Sequence, residues 1–129
     1  MIVVDTSVWI GHMRNANSEG VRKLRNLENP DEILVGDIIL MELLQGARDK
    51  THATRIGNAM QAYAALPMLG ITNAQLAAAN YRRLREEGIT IRKSSDLIIG
   101  SFCIANNHKL LHEDRDFEPM QRHMGLSVI

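Results

Sequence analysis

A chain of 129 residues with 45% apolar and 23% charged side chains lies in the globular range, and its length suits one domain spanning residues 1–129. Cys103 is the single cysteine, which excludes an intrachain disulfide and any zinc site built on paired thiolates. The 15 basic residues balance 15 acidic ones, so the chain lacks the positive excess of a typical nucleic-acid-binding module, although site acids in an enzyme can offset basic groups around them.

The first element is Ile2-Val3-Val4, a β-branched run of the buried parallel kind. Val8 to Met13 reads as a short helix that Thr6 or Ser7 can cap. Ser18 can cap a second helix carrying Val21, Leu24 and Leu27, which ends before Pro30. Ile33-Leu34-Val35 is the second strand, and Asp37 can cap the apolar helix Ile38 to Ala47. A further helix is expected from about Thr51 to Leu66, stopping at Pro67. Met68 to Ile71 is a weaker third strand, followed by Thr72-Asn73-Ala74-Gln75 in the form of a capping box. The helix behind it reaches Glu87, and Gly88 suits the left-handed residue that ends helices. Ser94 and Ser95 open the apolar helix Leu97 to Ala105. Lys109-Leu110-Leu111 is a fourth strand, and Leu126-Ser127-Val128 a candidate fifth. Strands alternating with helices imply an α/β fold, a three-layer α/β/α domain with a short, mainly parallel sheet. The N-terminal residues lack the basic and long apolar regions of a secretory signal, and no stretch approaches the roughly 20 apolar residues of a membrane helix. A cytoplasmic protein without membrane attachment is the expectation.

In a parallel sheet, sites form beyond the carboxyl ends of the strands. Asp5 directly follows the first strand, where it can equally be a helix cap or turn residue. Glu42 stands inside Ile38-Ile39-Leu40-Met41-Glu42-Leu43-Leu44, where a polar stripe continued by Gln45 and Asp49 would also account for it. Asp96 lies in the first turn of an apolar helix, a position the helix dipole favours for any carboxylate. Asp114 and Asp116 follow the fourth strand, where loop acids are common. Jointly they say more, because these positions can converge on one sheet edge. Two ionised carboxylates at about 4 Å repel by roughly 4 kcal/mol at an effective dielectric of 20, so a fold tolerates such a cluster when a cation fills it. Oxygen ligands without paired thiolates select Mg²⁺ or Mn²⁺.

Other candidates are weaker. His108 and His112 fall on a strand, not on the helix face of a zinc protease, and no glycine-rich phosphate loop is present. Asp5-Thr6-Ser7-Val8 has the look of an aspartyl-phosphate nucleophile, but the second acid of that pattern is replaced by Ser7. Cys103 and most of the 7 methionines read as core. Arg82, Arg83 and Arg85 read as helix surface, and Arg92 and Lys93 as either a solvated loop or a grip on an RNA backbone.

Met1-Ile2-Val3-Val4-Asp5-Thr6-Ser7-Val8-Trp9 resembles the opening of bacterial PIN domains, specifically the VapC-type toxins of toxin–antitoxin pairs. Glu42 in its leucine-rich helix, followed by Gly46, resembles their second acidic motif. Gly88 to Ile99 resembles the third motif and Leu110 to Phe117 the fourth, so the likeness spans nearly the whole chain. The resemblance implies an Mg²⁺- or Mn²⁺-dependent endoribonuclease, homodimers and a cognate antitoxin that blocks the site. It implies Asp5, Glu42, Asp96 and Asp114 as catalytic metal-binding acids, with Thr6 or Ser7 helping to hold the metal or its water. Asp116 is left between a metal ligand, an acceptor behind the ligands and a turn residue holding Phe117. Transfer RNA is the substrate the resemblance suggests. The competing readings are a PIN-type module that only binds, a structure-specific DNA nuclease, and a phosphoacceptor receiver domain, whose required acids are missing.

Overall fold

The computed structural model describes residues 1–129. Four strands, β1 (Ile2–Val4), β2 (Ile33–Gly36), β3 (Ala64–Leu66) and β4 (Lys109–Leu111), form one sheet in the order β3-β2-β1-β4. Every pairing is parallel, with Ile2 opposite Ile33 on one side and Lys109 on the other. Between β1 and β2 run α1 (Thr6–Met13) and α2 (Glu19–Arg25); between β2 and β3 run α3 (Asp37–Gln45) and α4 (Lys50–Met60). The connection from β3 to β4 carries α5 (Ile71–Glu86) and α6 (Ser94–Asn106), and α7 (Glu118–His123) follows β4.

Handedness assigns the layers. The first two crossovers step away from β1 in one direction, and the third jumps back across the sheet to β4. Since parallel crossovers are right-handed, the reversal puts α5 and α6 on the face opposite α1 to α4. The packing agrees: α1 rests on α2 and α3, α3 on α4, and α5 on α6. The expected α/β/α layering is therefore present. Val3, Val4, Leu34, Val35, Leu110 and Leu111 lie at the centre of one core cluster, with Cys103 buried in it as expected.

The strands rich in Ile, Val and Leu fall where their composition places them. β3 does not. Residues 61–66 were expected to continue a helix, yet α4 ends at Met60 and Ala64-Ala65-Leu66 pair with Leu34-Val35-Gly36. Alanine and leucine are strong helix formers, and here ladder pairing at the sheet edge overrides that preference. Met68 to Ile71, the expected third strand, is instead a loop closing onto the sheet. The Met68 amide donates to Asp37 Oδ1 at 2.8 Å, and the side chain is fully buried against Gly36. A Cβ at Gly36 would overlap the Met68 thioether, so any other residue would force that buried side chain to shift. Gly70, at φ +95°, turns the chain into α5, which begins at Ile71. The expected capping box is absent: Thr72 lies within the helix, and buried Asn73 donates its amide to the Met68 and Ile98 carbonyls at 2.6 and 3.3 Å. Asp37 is the first residue of α3, not its cap. The C-terminal run touches β4 only through an isolated parallel bridge from Val128 to Leu110.

Ser18 caps α2 as expected, and Gly88 adopts the left-handed conformation at φ +79°. No helix is long and apolar enough to cross a membrane.

Candidate active site

Asp5 leaves β1 at the point where the sheet reverses direction, between β2 and β4. Its amide donates to the Leu111 carbonyl of β4 at 2.9 Å, which extends the β1–β4 ladder by one bond. Only 4% of Asp5 is exposed. Asp5 is itself the cap of α1: its Oδ2 accepts from Ser7 N at 3.0 Å and Ser7 Oγ at 2.6 Å. The capping expected of Thr6 or Ser7 thus falls to the acid before them, because its extended backbone directs the carboxylate over the free amides of the first turn. Both hydroxyls are then available for the site. Thr6 Oγ1 donates to Glu42 Oε1 at 2.8 Å, and Ser7 Oγ also accepts from the Glu113 amide at 3.1 Å. Glu42 is half-buried, with a specific donor, unlike a residue of a solvated stripe.

On the other side of the cleft, Asp96 lies in the first turn of α6 and is 3% exposed. Its Oδ2 makes no hydrogen bond. Burial pushes its pKa up to about 6; the Lys93 ammonium opposes the rise, and the charges of Asp114 and Asp5 add to it. Asp114 caps the single turn Arg115–Phe117, its Oδ1 accepting from Asp116 N at 3.0 Å. That is the turn role considered for Asp116; it belongs to Asp114, and it sets Phe117 into the core. Partial burial works against the Asp114 charge, but Lys93 and the Asp116 amide together hold its pKa below the usual carboxylate range.

Lys93 is the residue whose place differs most from expectation. Its Nζ lies 2.8 Å from Asp114, 3.4 Å from Asp96 and 3.9 Å from Asp116. Bonding to Asp114 raises its pKa above the ordinary lysine value. Arg92 next to it is exposed. The available signal was the position of Lys93 at the head of α6, where the helix dipole disfavours a cation unless acids surround it. His112 was likewise passed over. Its Nδ1 accepts from the Asp114 amide at 3.2 Å, so its Nε2–H donates to Gln121 at 2.7 Å, and the ring tilts against Phe117. It steadies the loop that carries Asp114.

Ligand atoms of Asp96, Asp114 and Asp116 all lie within 4.8 Å of one another. Asp5 and Glu42 stand outside that trio, fixed at the neighbouring strand ends through Ser7 and Thr6. An all-oxygen donor set is what a hard divalent cation requires. The buried Asp96 Oδ2 makes no hydrogen bond, and its charge partner is the Lys93 ammonium 3.4 Å away. The residues fit an Mg²⁺ or Mn²⁺ ion.

Beside Glu42, a groove of 270 Å³ runs between α1, α3 and α4, with Arg14, Arg48 and His52 in its walls. Arg83 and Arg85 stay on the surface of α5, Arg85 lying over the Tyr81 ring.

The geometry has close counterparts. The family model described as PIN domain matches residues 2–122. VapC ribonuclease Mb1587 of Mycobacterium bovis is 34% identical over 99% of this chain and 97% of its own length. Ribonuclease VapC11 of Mycobacterium tuberculosis matches with the same figures. Among solved structures, VapBC2 from Rickettsia felis bound to a promoter DNA fragment superposes with a TM-score of 0.79 at 19% identity, covering 100% of this chain and 98% of that one. FitAcB from Neisseria gonorrhoeae superposes with a TM-score of 0.78 at 16% identity, covering 100% and 96%. The chain belongs to the PIN-domain family, within its VapC-type branch.

Proposed function

We propose that this protein is a metal-dependent endoribonuclease that acts as the toxin of a toxin–antitoxin pair. The observation that supports the reading is the clustering of Asp96, Asp114 and Asp116, whose ligand atoms lie within 4.8 Å of one another, with Asp5 and Glu42 at the neighbouring strand ends. Asp5, Asp96 and Asp114 would hold the ion, and Glu42 would hold its water. When bound, Mg²⁺ or Mn²⁺ supplies Lewis acidity toward the phosphate and a water of lowered pKa.

The chain's own groups do the positioning. Ser7 holds the Asp5 carboxylate, Thr6 holds Glu42, and the Asp116 amide holds Asp114. Each bond fixes one rotamer, so the acids need little rearrangement on binding. Asp116, the outermost acid of the trio, serves as an additional outer acceptor or ligand. Arg14 and Arg48 in the groove, with Arg92 on the α6 side, supply the positive charge that tracks an RNA backbone. The site's acids offset these groups, which fits the zero net charge.

The VapC relatives are named ribonucleases, and this favours RNA over DNA and cleavage over binding alone. Structural neighbours include a toxin–antitoxin complex from Klebsiella pneumoniae and a member of the VapBC family of toxin–antitoxin systems from Mycobacterium tuberculosis, and a cognate antitoxin covering the acid cleft is the partner proposed here. Residues 1–129 would act as one cytoplasmic domain, paired as a homodimer. Structured RNA such as transfer RNA would be the target, and its cleavage would stop translation.

The test is expression alone in bacteria. The wild type should arrest growth with fragmentation of a specific RNA, and a folded Asp5→Asn variant should do neither. Growth arrest of equal strength by that variant would refute the assignment of the site or of the toxin role.

A further inference from the structure

Every Asp, Glu, Lys, Arg and His of the chain lies outside residues 56–81, in a protein that is 23% charged. The fold does not hide that stretch: β3, Pro67, Leu69 to Thr72 and most of the first half of α5 are exposed. Of the eight large apolar side chains that the fold leaves exposed, five belong to this stretch or to the helix beside it. They are Ile71 at 82%, Met41 at 55%, Leu66 at 46%, Leu69 at 45% and Leu76 at 41%.

These residues adjoin. Leu66 pairs opposite Gly36, and Asp37 next to that glycine holds the loop after β3, its Oδ1 accepting from the Met68 amide at 2.8 Å. Met41 lies one turn along α3 from Asp37 and lines a groove with it, Leu40 and Leu44. On the far side of the Met68 loop, Leu69, Ile71 and Leu76 line a second groove of 480 Å³ against Phe102 of α6. Asp37 is the single charged residue lining either groove, and its Oδ1 is already occupied by the Met68 and Ile38 amides.

The five side chains present on the order of 500 Å², and the exposed alanines and Pro67 between them bring the face within reach of the about 800 Å² that a stable pair buries per partner. β3 adds an open sheet edge without the charges that usually guard one. The chemistry of the face selects its occupant. A nucleic acid needs cations, and none is here. Depletion of charge marks the centre of a protein–protein interface. Two-fold pairing sets a patch against its own copy, so an uncharged apolar face is its own complement with no matching of signs. The groove holding Arg14 and Arg48 shares no residue with these two grooves, so pairing here takes nothing from the RNA path.

We propose that a second copy of this chain covers the face, with α3, β3 and the start of α5 of one protomer meeting the same elements of its partner across a two-fold axis. This rests on the homodimer reading above and assigns its surface.

Sedimentation equilibrium of the purified full-length chain reads the dimer dissociation constant. Wild type should sediment as two chains. Ile71→Glu, and Met41→Lys as a second variant, should each raise the constant at least about thirtyfold, the scale of an interface hot spot. Both side chains are exposed, and Glu suits the first residue of a helix, so both variants should keep the wild-type circular dichroism spectrum. Val128→Glu, which charges an exposed apolar residue outside the face, should leave the constant unchanged. A wild type that sediments as one chain would overturn the homodimer reading and this inference together. A dimer of wild-type strength in both Ile71→Glu and Met41→Lys, or equal weakening by Val128→Glu, would overturn the assigned face alone.

Discussion

Asp114 and Asp116 stand two residues apart and differ in what holds them. Asp114 spends one oxygen on the Asp116 amide and the other on Lys93, whereas Asp116 has only the long contact to the ammonium. Asp114→Asn should therefore lose at least about tenfold more kcat/KM than Asp116→Asn, roughly 1.4 kcal/mol of transition-state stabilisation. The measurement is RNA cleavage at saturating Mn²⁺ with both variants folded; the reverse order would move the ligand role to Asp116. Asparagine at 114 can still cap the turn, so that loss should come without a large fall in melting temperature. Asp96 makes a separate prediction. Its pKa is about 6 in the folded, metal-free protein against an ordinary 3.8, so the folded state keeps a proton that the unfolded chain releases. The stability this confers is complete below pH 4 and disappears as pH rises through 6. In chelator, thermal melts should show Asp96→Asn gaining on wild type between pH 4 and pH 7.5. A gap that stays constant across that window would contradict the burial argument. At this scale the sequence offered the acids as candidates, but the orientation of Lys93 was not legible, because only Asp96 is local to it and Asp114 and Asp116 come from the loop after β4.

The α1 terminus joins structure and chemistry in one residue. The same Asp5 carboxylate that faces the cleft accepts the Ser7 amide, so substitutions there separate the two roles. Asp5→Asn retains a good cap and should melt within a few degrees of wild type while losing RNA cleavage. Asp5→Ala removes cap and ligand together and should be destabilised by about 0.5–2 kcal/mol in urea titrations. Equal stability of the two variants would mean that the cap contributes little. β1, β2 and β4 were readable because β-branched and leucine runs buried on both faces leave little choice of structure. β3 was not, since its Ala-Ala-Leu run takes its strand state from β2 alone. The start of α5 failed for a related reason: Asn73, which looked like part of a local cap, spends its amide on the loop at Met68 and on α6. Local capping rules do not register a partner 25 residues away.

The whole molecule is arranged around the reversal of strand order between β1 and β4. Asp5 follows β1, the Asp114 turn follows β4, and α6 begins at the same edge before running back along the sheet. Glu42 comes from α3, which leaves that edge after β2. Five acids from four segments lie toward one edge because every strand points the same way, three of them as a cluster, and an alternating pattern of strands and helices was enough to anticipate that edge. The family match and the 34% identical VapC ribonucleases agree with it. The pairing of acids within the cleft depended on turn geometry that only the folded chain displays. The central claim is that these acids make a divalent ion cleave RNA. It is tested most directly by incubating purified chain, freed of any antitoxin, with a defined RNA in Mg²⁺ or Mn²⁺ and again after rigorous chelation. Cleavage that requires the ion and is absent in folded Asp5→Asn is the predicted result; cleavage at full rate in the chelated sample, or by Asp5→Asn, would contradict it.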